Sequence, residues 1–530
     1  MTDLAEEAAK VMKTHGIGEA TSPVPAQAEI WEEFKGRTET TEITLTIENR
    51  FYSGYEHGTA SQIDWGKPVH AIFLDFKGDG MQLGMLLERL NECGEQYVFI
   101  GNPLPFNGGW HFTAVNDFEH PVEQKKLNPE WKNKRIWHRV NYIAKENGDG
   151  SVAIQPRGVE GCDVTITETC KFTSIFLIGG LMPHTLNATM SPAACALLRK
   201  HLELGTKFAT IGHGLDVLIA LGSPESSSIS GFVAASFPNQ EHLLKINGVQ
   251  EAPSQARVWQ HTPSEGPFQG STLISASYWG QETAEPFFTM LGLKSGGPKH
   301  EPFRIDSPEI VRVLDFSKCP GISGASFVGD PKLPSVAVFV DNVADPIEAY
   351  NIISHLMTVK MSFTMISHSG NDDTGDTNIR IVSSETVFGN AMYGLKDSCC
   401  LIPTCPASSV PSDIVFNGFF VAGGQCPYFM MKDAAITSII DRAEFAAAVC
   451  HGPELLIGSK WLHSVGGPKG PFISYYGCWM SFRDVLASYE KKKPGEVCED
   501  STGRLFTGNA PNSTKEMVRR ACTAMTAACL

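Results

Sequence analysis

The sequence lacks the segments that carry proteins into or across membranes. No run of 18 or more apolar residues occurs among its 530 residues, so no stretch is long enough to span a bilayer as a helix. Residues 1–18 are acidic and have neither the basic nor the apolar region of a secretory signal. We therefore expect a cytoplasmic protein with no membrane partner.

Positive charge is also scarce. Lys and Arg number 43 against 58 Asp and Glu, a formal net charge of −15. That balance argues against nucleic acid as a partner. With 42% hydrophobic and 19% charged residues, the chain can bury a large core. At roughly 100–200 residues per domain, its length predicts two to four domains.

The familiar metal and cofactor patterns are missing. There is no Cys-x-x-Cys pair, no His-Glu-x-x-His sequence, no phosphate loop and no dinucleotide fingerprint. Without a secretory signal, the 14 cysteines are interpreted as free thiols in a reducing compartment. The sequence thus predicts no metal site and no cofactor.

Strand-like and helix-like stretches alternate in two apolar blocks, which predicts an α/β fold with mostly parallel sheets. A Pro- and Gly-rich stretch separates the blocks. The predicted organisation is an N-terminal extension (1–65), a first repeat (66–293) with an insertion at about 107–165, a linker (294–334) and a second repeat (335–530).

An internal repeat supports this division. Four landmarks recur in the same order in both halves, and the longer spacing in the first half places the insertion there. The paired segments are 71–79 with 337–345, 176–180 with 420–424, 208–220 with 446–458, and 273–276 with 505–508.

Residues 446–457 are typical of a strand, a sharp turn and a helix, with Cys450 at the turn. Such an elbow strains the backbone and projects the side chain from the carboxyl end of the sheet. A helix N-terminus next to a cysteine favours the thiolate, so we predict a thiol pKa below the usual value of about 8.5. In the first repeat Gly212 stands in place of the cysteine, which predicts a catalytically inactive structural partner.

The motif around Cys450 resembles the nucleophile signature of the ThiJ/PfpI superfamily. This family includes the human parkinsonism-linked protein, archaeal intracellular proteases and glutathione-independent glyoxalases. Residues 421–428, 473–477 and 505–511 resemble further family segments. The resemblance covers about 334–530 well and 66–293 weakly. It implies two flavodoxin-like, class I glutamine amidotransferase-like sandwiches arranged as an internal pseudo-dimer.

The resemblance also implies a set of site residues. Cys450 would attack an aldehyde or dicarbonyl carbon, and His451 would shuttle a proton. The family's acid in the first βα loop matches Asp345, with Glu348 as the alternative. No metal and no glutathione are needed. Residues at the oxyanion and substrate would be Gly423, Gly424 and Tyr428.

The implied function is a cysteine-dependent glyoxalase or deglycase acting on small carbonyls such as methylglyoxal. An Asp at 345 leaves isocyanide hydration open, and the protease members leave peptide or amide hydrolysis open. The inactive first repeat leaves a non-enzymatic redox sensor, chaperone or assembly protein open. A small-molecule carbonyl is the expected partner. A homo-oligomer, or a protein bound at the insertion (107–165), is also considered.

Overall fold

The computed structural model gives the structure of most of the chain. It describes residues 40–52, 63–73, 79–101, 110–114, 134–156, 160–179, 192–219, 221, 229–236, 240–253, 256–266, 268–277, 281–297, 303–341, 344–369, 379–383, 399–424, 426–431, 433–462, 470–475, 478, 481–482, 489–490 and 495–529. Much of the predicted N-terminal extension and of the predicted insertion lies outside the described residues. Within these ranges, no helix is long and apolar enough to cross a membrane.

The chain divides into two compact units. Of the described residues, 46–308 belong to the first unit, and 40–45 with 309–529 belong to the second, so one boundary falls between Pro308 and Glu309, inside the predicted linker. The strands from 40 to 276 are β1 (Thr40–Tyr52), β2 (Val69–Phe73), β3 (Gln96–Ile100), β4 (Trp110–Ala114), β5 (Lys134–Arg139), β6 (Tyr142–Glu146), β7 (Val152–Pro156), β8 (Val164–Thr165), β9 (Ser174–Leu177), β10 (Lys207–Ile211), β11 (Val233–Ala234), β12 (Gln250–Glu251), β13 (Val258–His261) and β14 (Thr272–Ala276). The α-helices of this part are α1 (Gly80–Cys93), α2 (Pro192–Glu203), α3 (Gly214–Ile219), α4 (Glu241–Ile246) and α5 (Gln281–Leu291).

The first unit is built on a nine-stranded sheet in the order β13-β14-β10-β9-β2-β3-β6-β7-β8. Its five central strands, β3-β2-β9-β10-β14, are parallel. Numbered along the chain, they run 2-1-3-4-5, which is the flavodoxin-like order. Strands β6 to β8 fall within the predicted insertion and extend this sheet beyond β3.

The second unit contains the remaining elements. Its strands are β15 (Phe303–Asp315), β16 (Ile322–Ser323), β17 (Ser326–Phe327), β18 (Ser335–Phe339), β19 (Ser362–Ser367), β20 (Ile379–Ser383), β21 (Cys399–Pro403), β22 (Cys405–Pro406), β23 (Gly418–Val421), β24 (Phe445–Val449), β25 (Val497–Glu499) and β26 (Leu505–Gly508), with β15 beginning in the first unit. Its α-helices are α6 (Pro346–Thr358), α7 (Cys426–Met430), α8 (Ala434–Arg442) and α9 (Thr514–Cys529). Short 3₁₀ helices are Phe316–Lys318, Ala407–Ser409, Gly452–Leu456 and Pro511–Ser513.

The sheet of the second unit repeats the same topology. Its order is β16-β17-β19-β18-β23-β24-β26-β25, and the parallel strands β19-β18-β23-β24-β26 again run 2-1-3-4-5. The predicted α/β class with mostly parallel sheets is therefore present. The pseudo-dimer stays a prediction. The segment 294–334 is more than a connection, because β17 within it pairs with β19.

Burial explains why the central strands are so apolar. Helices cover both faces of a parallel sheet, so its strands are apolar at every position rather than at alternate ones. All five residues of β24, Phe-Ala-Ala-Ala-Val, are buried, as are all four of β9. These buried strands fix the positions of the loops at their carboxyl ends.

Helix α6 begins at the carboxyl end of β18 with a strong capping sequence. The Asp345 carboxylate accepts hydrogen bonds from the backbone N–H groups of Ile347 at 2.9 Å and Glu348 at 3.0 Å. Pro346 occupies the first helical position, where a missing N–H costs nothing. The cap therefore sets where the first turn of α6 begins.

Replacing Asp345 by alanine removes this acceptor and should lower the free energy of unfolding by about 1 kcal/mol. Asp345→Asn retains a capping oxygen and should remain closer to the wild type. Urea denaturation followed by circular dichroism measures both variants. Equal stability of the alanine and asparagine variants would contradict the capping role.

Candidate active site

The site lies at the carboxyl ends of β18, β23 and β24, where the strand order reverses. In open α/β sheets this switch point is where ligands bind. The loop after β18 leads into α6, which carries Glu348 in its first turn. The loop after β23 contains Gly423 and Gly424, and Cys450 follows β24 directly.

Cys450 has the strained backbone that the sequence predicts. Its φ of 59° lies in the left-handed region, which is uncommon for a residue with a Cβ. Three hydrogen bonds hold this conformation. The Cys450 N–H donates to the Gly508 carbonyl at 2.9 Å, and its carbonyl accepts from the Tyr475 N–H at 2.9 Å and the Ser474 hydroxyl at 2.7 Å.

The helix predicted after the elbow is shorter and tighter than expected. Gly452–Leu456 forms a five-residue 3₁₀ helix. So short a helix aligns few peptide dipoles, so its field on the sulfur is small. The sulfur therefore depends on individual neighbouring groups for its charge state.

Glu348 is the carboxyl group beside Cys450. It is fully buried, and its Oε2 accepts the Gly423 N–H at 2.6 Å. A Cβ on Gly423 would lie 2.6 Å from the Cys450 Cβ and 2.7 Å from Glu348 Oε2. The absence of a side chain at Gly423 thus allows the carboxyl and the cysteine to share one small space.

This geometry corrects the first choice of acid. The family resemblance matches Asp345 to the acid, with Glu348 as the alternative. In the structure the Asp345 carboxylate instead caps the N-terminus of α6. Glu348 lies one helical turn further along and extends towards Gly423 and Cys450. The alternative position, Glu348, is therefore the one that the structure places beside the thiol.

Burial changes the proton affinity of this pair. It raises the pKa of Glu348 well above its usual range, and the charge of Asp345 adds to the shift. The Gly423 N–H and the Cys450 thiol oppose it. Within the described residues, Glu348 Oε1 has no hydrogen-bond partner of ordinary geometry. Burial therefore favours the neutral form of the Glu348 carboxyl.

The Cys450 thiol also holds its proton more tightly than a free thiol. Only 7% of Cys450 is exposed. Burial raises its pKa well above the usual range, and the charges of Glu348 and Asp345 raise it further, whereas the backbone N–H groups of Gly424 and His451 lower it. The predicted lowering of this pKa is therefore wrong, because desolvation outweighs the two N–H groups.

His451 is hydrogen-bonded to the buried carboxylate of Glu454, a residue that the sequence analysis did not select for the site. Its Nδ1–H donates to Glu454 Oε2 at 2.8 Å. The Tyr428 hydroxyl donates to the same oxygen at 3.0 Å, and the Ser481 hydroxyl donates to Oε1 at 2.6 Å. In the neutral imidazole tautomer that donates from Nδ1, the acceptor nitrogen is Nε2. The hydroxyl of Tyr428 also lies 3.0 Å from His451 Nδ1, and the predicted contact of Tyr428 with substrate stays a prediction.

The first unit preserves this framework without its reactive groups. Gly212, with φ of 50°, occupies the elbow after β10. The Gln82 side-chain oxygen accepts the Gly179 N–H at 2.7 Å, as Glu348 accepts that of Gly423. His213 Nδ1 lies 2.7 Å from Asp216 Oδ2. The first unit thus has the amide of Gln82 in the position of the acid and a glycine, Gly212, in the position of the nucleophilic cysteine.

Comparisons with known proteins give only distant similarity. No family model matches the chain, and no curated protein matches it. Among solved structures, Drosophila melanogaster DJ-1beta is 19% identical over 37% of this chain and 91% of its own, with a TM-score of 0.28. Candida albicans glyoxalase III is 16% identical over 37% of this chain and 98% of its own, with a TM-score of 0.23.

A two-domain protein of Anabaena variabilis, with DJ-1/ThiJ/PfpI-like and ferritin-like domains, is 15% identical. The match covers 36% of this chain, with a TM-score of 0.27, and spans about half (47%) of the length of that protein. Each of these matches covers a little over a third of this chain.

The strain at Cys450 predicts an unusual order of stabilities. Cys450→Gly and Cys450→Ala both remove the sulfur, but only glycine adopts the left-handed conformation at little cost. We expect the glycine variant to be more stable than the alanine variant by about 1 kcal/mol. Urea denaturation of the two proteins tests this, and a more stable alanine variant would contradict the strained elbow.

The raised pKa of Cys450 predicts how its reactivity depends on pH. A thiol reacts as the thiolate, so below its pKa the alkylation rate should rise about tenfold per pH unit. We expect the rate of Cys450 carbamidomethylation, followed by peptide mass spectrometry, to keep rising beyond the plateau of free cysteine. A plateau reached near neutral pH would instead mean a lowered pKa.

Proposed function

We propose that the protein is a cysteine-dependent, cofactor-free glyoxalase or deglycase that acts on small reactive carbonyls such as methylglyoxal. One observation carries the proposal. The Cys450 sulfur is placed by a left-handed elbow beside the buried Glu348 carboxyl, with two backbone N–H groups close enough to stabilise its negative charge. A nucleophile, a neutral acid and oxyanion donors are the parts that carbonyl addition needs.

In the first step, the Cys450 sulfur adds to the aldehyde carbon of methylglyoxal and forms a hemithioacetal. The carbonyl oxygen gains a proton from neutral Glu348, and the proton of the thiol returns to Glu348. The N–H groups of Gly424 and His451, which approach the sulfur, would also stabilise the oxygen as charge develops on it.

In the second step, a proton moves between the two carbons through an enediol. The unprotonated Nε2 of His451 suits this transfer, because Glu454 holds the proton on Nδ1. The product is a lactoyl thioester on Cys450. Water hydrolyses the thioester, which releases lactate and restores the thiol, so the net reaction consumes one water molecule.

The geometry bears on the other candidate functions. Isocyanide hydration was suggested by an Asp in the acid position, but the residue beside Cys450 is Glu348. Peptide hydrolysis and redox sensing have no specific support from this site. For the first repeat we propose a structural role, since glycine replaces the nucleophile and Gln82 replaces the acid.

The test is conversion of methylglyoxal to lactate by the purified full-length chain. We expect Cys450→Ala to abolish turnover and Glu348→Gln to reduce it by about 10²-fold or more. Cys522→Ala removes another buried thiol, one whose raised pKa has burial as its cause, and should keep wild-type activity. Equal turnover by the wild type and Cys450→Ala would refute the proposal, and turnover of isocyanides or peptides instead would redirect it.

A further inference from the structure

Behind the nucleophile, three buried side chains bring a nitrogen, an oxygen and a sulfur together. His451, Glu454 and Cys478 each place one ligand atom within 4.8 Å of the others. We call them the soft-ligand cluster. Cys478 Sγ lies 3.1 Å from His451 Nδ1 and 3.4 Å from Glu454 Oε2, and Nδ1 lies 2.8 Å from Oε2. The three ligand atoms thus lie at the corners of a compact triangle with sides of 2.8, 3.1 and 3.4 Å.

We propose that the soft-ligand cluster is a binding site for a borderline-soft divalent cation, with Zn²⁺ as the best match. Imidazole, thiolate and carboxylate are the three ligand types that zinc takes in proteins. In this respect the cluster extends beyond the proposed carbonyl chemistry, for which no metal is needed.

The distances suit a contracted tetrahedral site. Zinc bonds of about 2.0–2.3 Å at tetrahedral angles separate ligand atoms by about 3.4–3.6 Å. The observed separations of 2.8, 3.1 and 3.4 Å are shorter by about 0.6 Å at most. A cation therefore needs only a small outward movement of side chains that already face one another.

Charge favours the same occupant. When a divalent cation binds, the Cys478 thiol releases one proton and the His451 proton shifts from Nδ1 to Nε2. The dication is then balanced by one thiolate and one carboxylate, so the assembly is neutral. Neutrality matters here because all three residues are buried, and an uncompensated buried charge is costly.

The surroundings provide the supporting contacts of a metal site. The Ser481 hydroxyl donates to Glu454 Oε1 at 2.6 Å, which orients the carboxylate so that Oε2 faces the cluster. The Tyr428 hydroxyl lies 3.0 Å from both His451 Nδ1 and Glu454 Oε2. The hydroxyl is therefore next to the fourth position of a tetrahedral site, where it or a water molecule would complete the coordination.

The first unit offers an internal contrast. There His213 and Asp216 repeat the His451–Glu454 pair, but the amide of Gln240 donates to Asp216 Oδ1 at 2.7 Å. In the part of the chain that the structure describes, no third His, Cys, Asp or Glu side chain joins this pair in the way that Cys478 joins His451 and Glu454. We therefore expect one cation for each chain, bound in the second unit.

The experiment titrates Co²⁺, a spectroscopic substitute for Zn²⁺, into the metal-stripped full-length protein. We expect one equivalent to bind with a sulfur-to-cobalt charge-transfer band. Cys478→Ala should lose that band, and Cys522→Ala, which removes a different buried thiol, should keep it. Glu454→Gln should weaken binding by at least about tenfold, with folding checked by circular dichroism.

The outcomes separate this inference from the proposed function. Metal binding is measured from the cobalt spectrum, so this test does not depend on whether the protein turns over methylglyoxal. In an active preparation, Zn²⁺ should inhibit reversibly, because it withdraws His451 Nδ1 from Glu454. No bound cobalt, or an unchanged band in Cys478→Ala, would overturn the site. If Cys478→Ala lost the band but Glu454→Gln bound cobalt with unchanged affinity, Glu454 would not be a ligand and the three-ligand set would be overturned.

Discussion

The buried contact between Glu348 and the backbone of Gly423 is the constraint on which the site depends. A carboxyl with no exposure to water is tolerated only when it is neutral or well hydrogen-bonded. Here the Gly423 N–H holds one oxygen at 2.6 Å, and the missing Cβ of Gly423 leaves room for Cys450 beside it. Acid and thiol are thereby kept together by the first turn of α6 and by the backbone at the carboxyl ends of β23 and β24.

The two units show which parts of this framework are structural and which are chemical. Both keep the 2-1-3-4-5 strand order, a left-handed residue at the elbow and a histidine bonded to an acid three residues later. They differ at Gln82 against Glu348 and at Gly212 against Cys450. A neutral amide makes the same hydrogen bond to backbone as the acid does, so the fold persists where the chemistry is absent.

Much of this could be predicted from sequence because it depends on local signals. The α/β alternation, the landmarks of the repeat and the elbow at Cys450 all follow from spacing and small residues. The choice between Asp345 and Glu348 could not be made, because both lie in one helical turn and only the cap separates their directions. The offset that pairs Asp79 with Asp345 also pairs Gln82 with Glu348, which was an available signal. For Cys478 the sequence offers no such signal, because it lies 27 residues from His451 and only the fold brings the two side chains together.

The charge of Glu348 tests the account most directly. Infrared difference spectroscopy between the wild type and Glu348→Gln at pH 7 isolates the carbonyl stretch of this one side chain. The account predicts the band of a protonated carboxylic acid in the wild type, lost in the variant, since burial and Asp345 both favour the neutral form. The carboxylate bands of an ionised group in its place would contradict it.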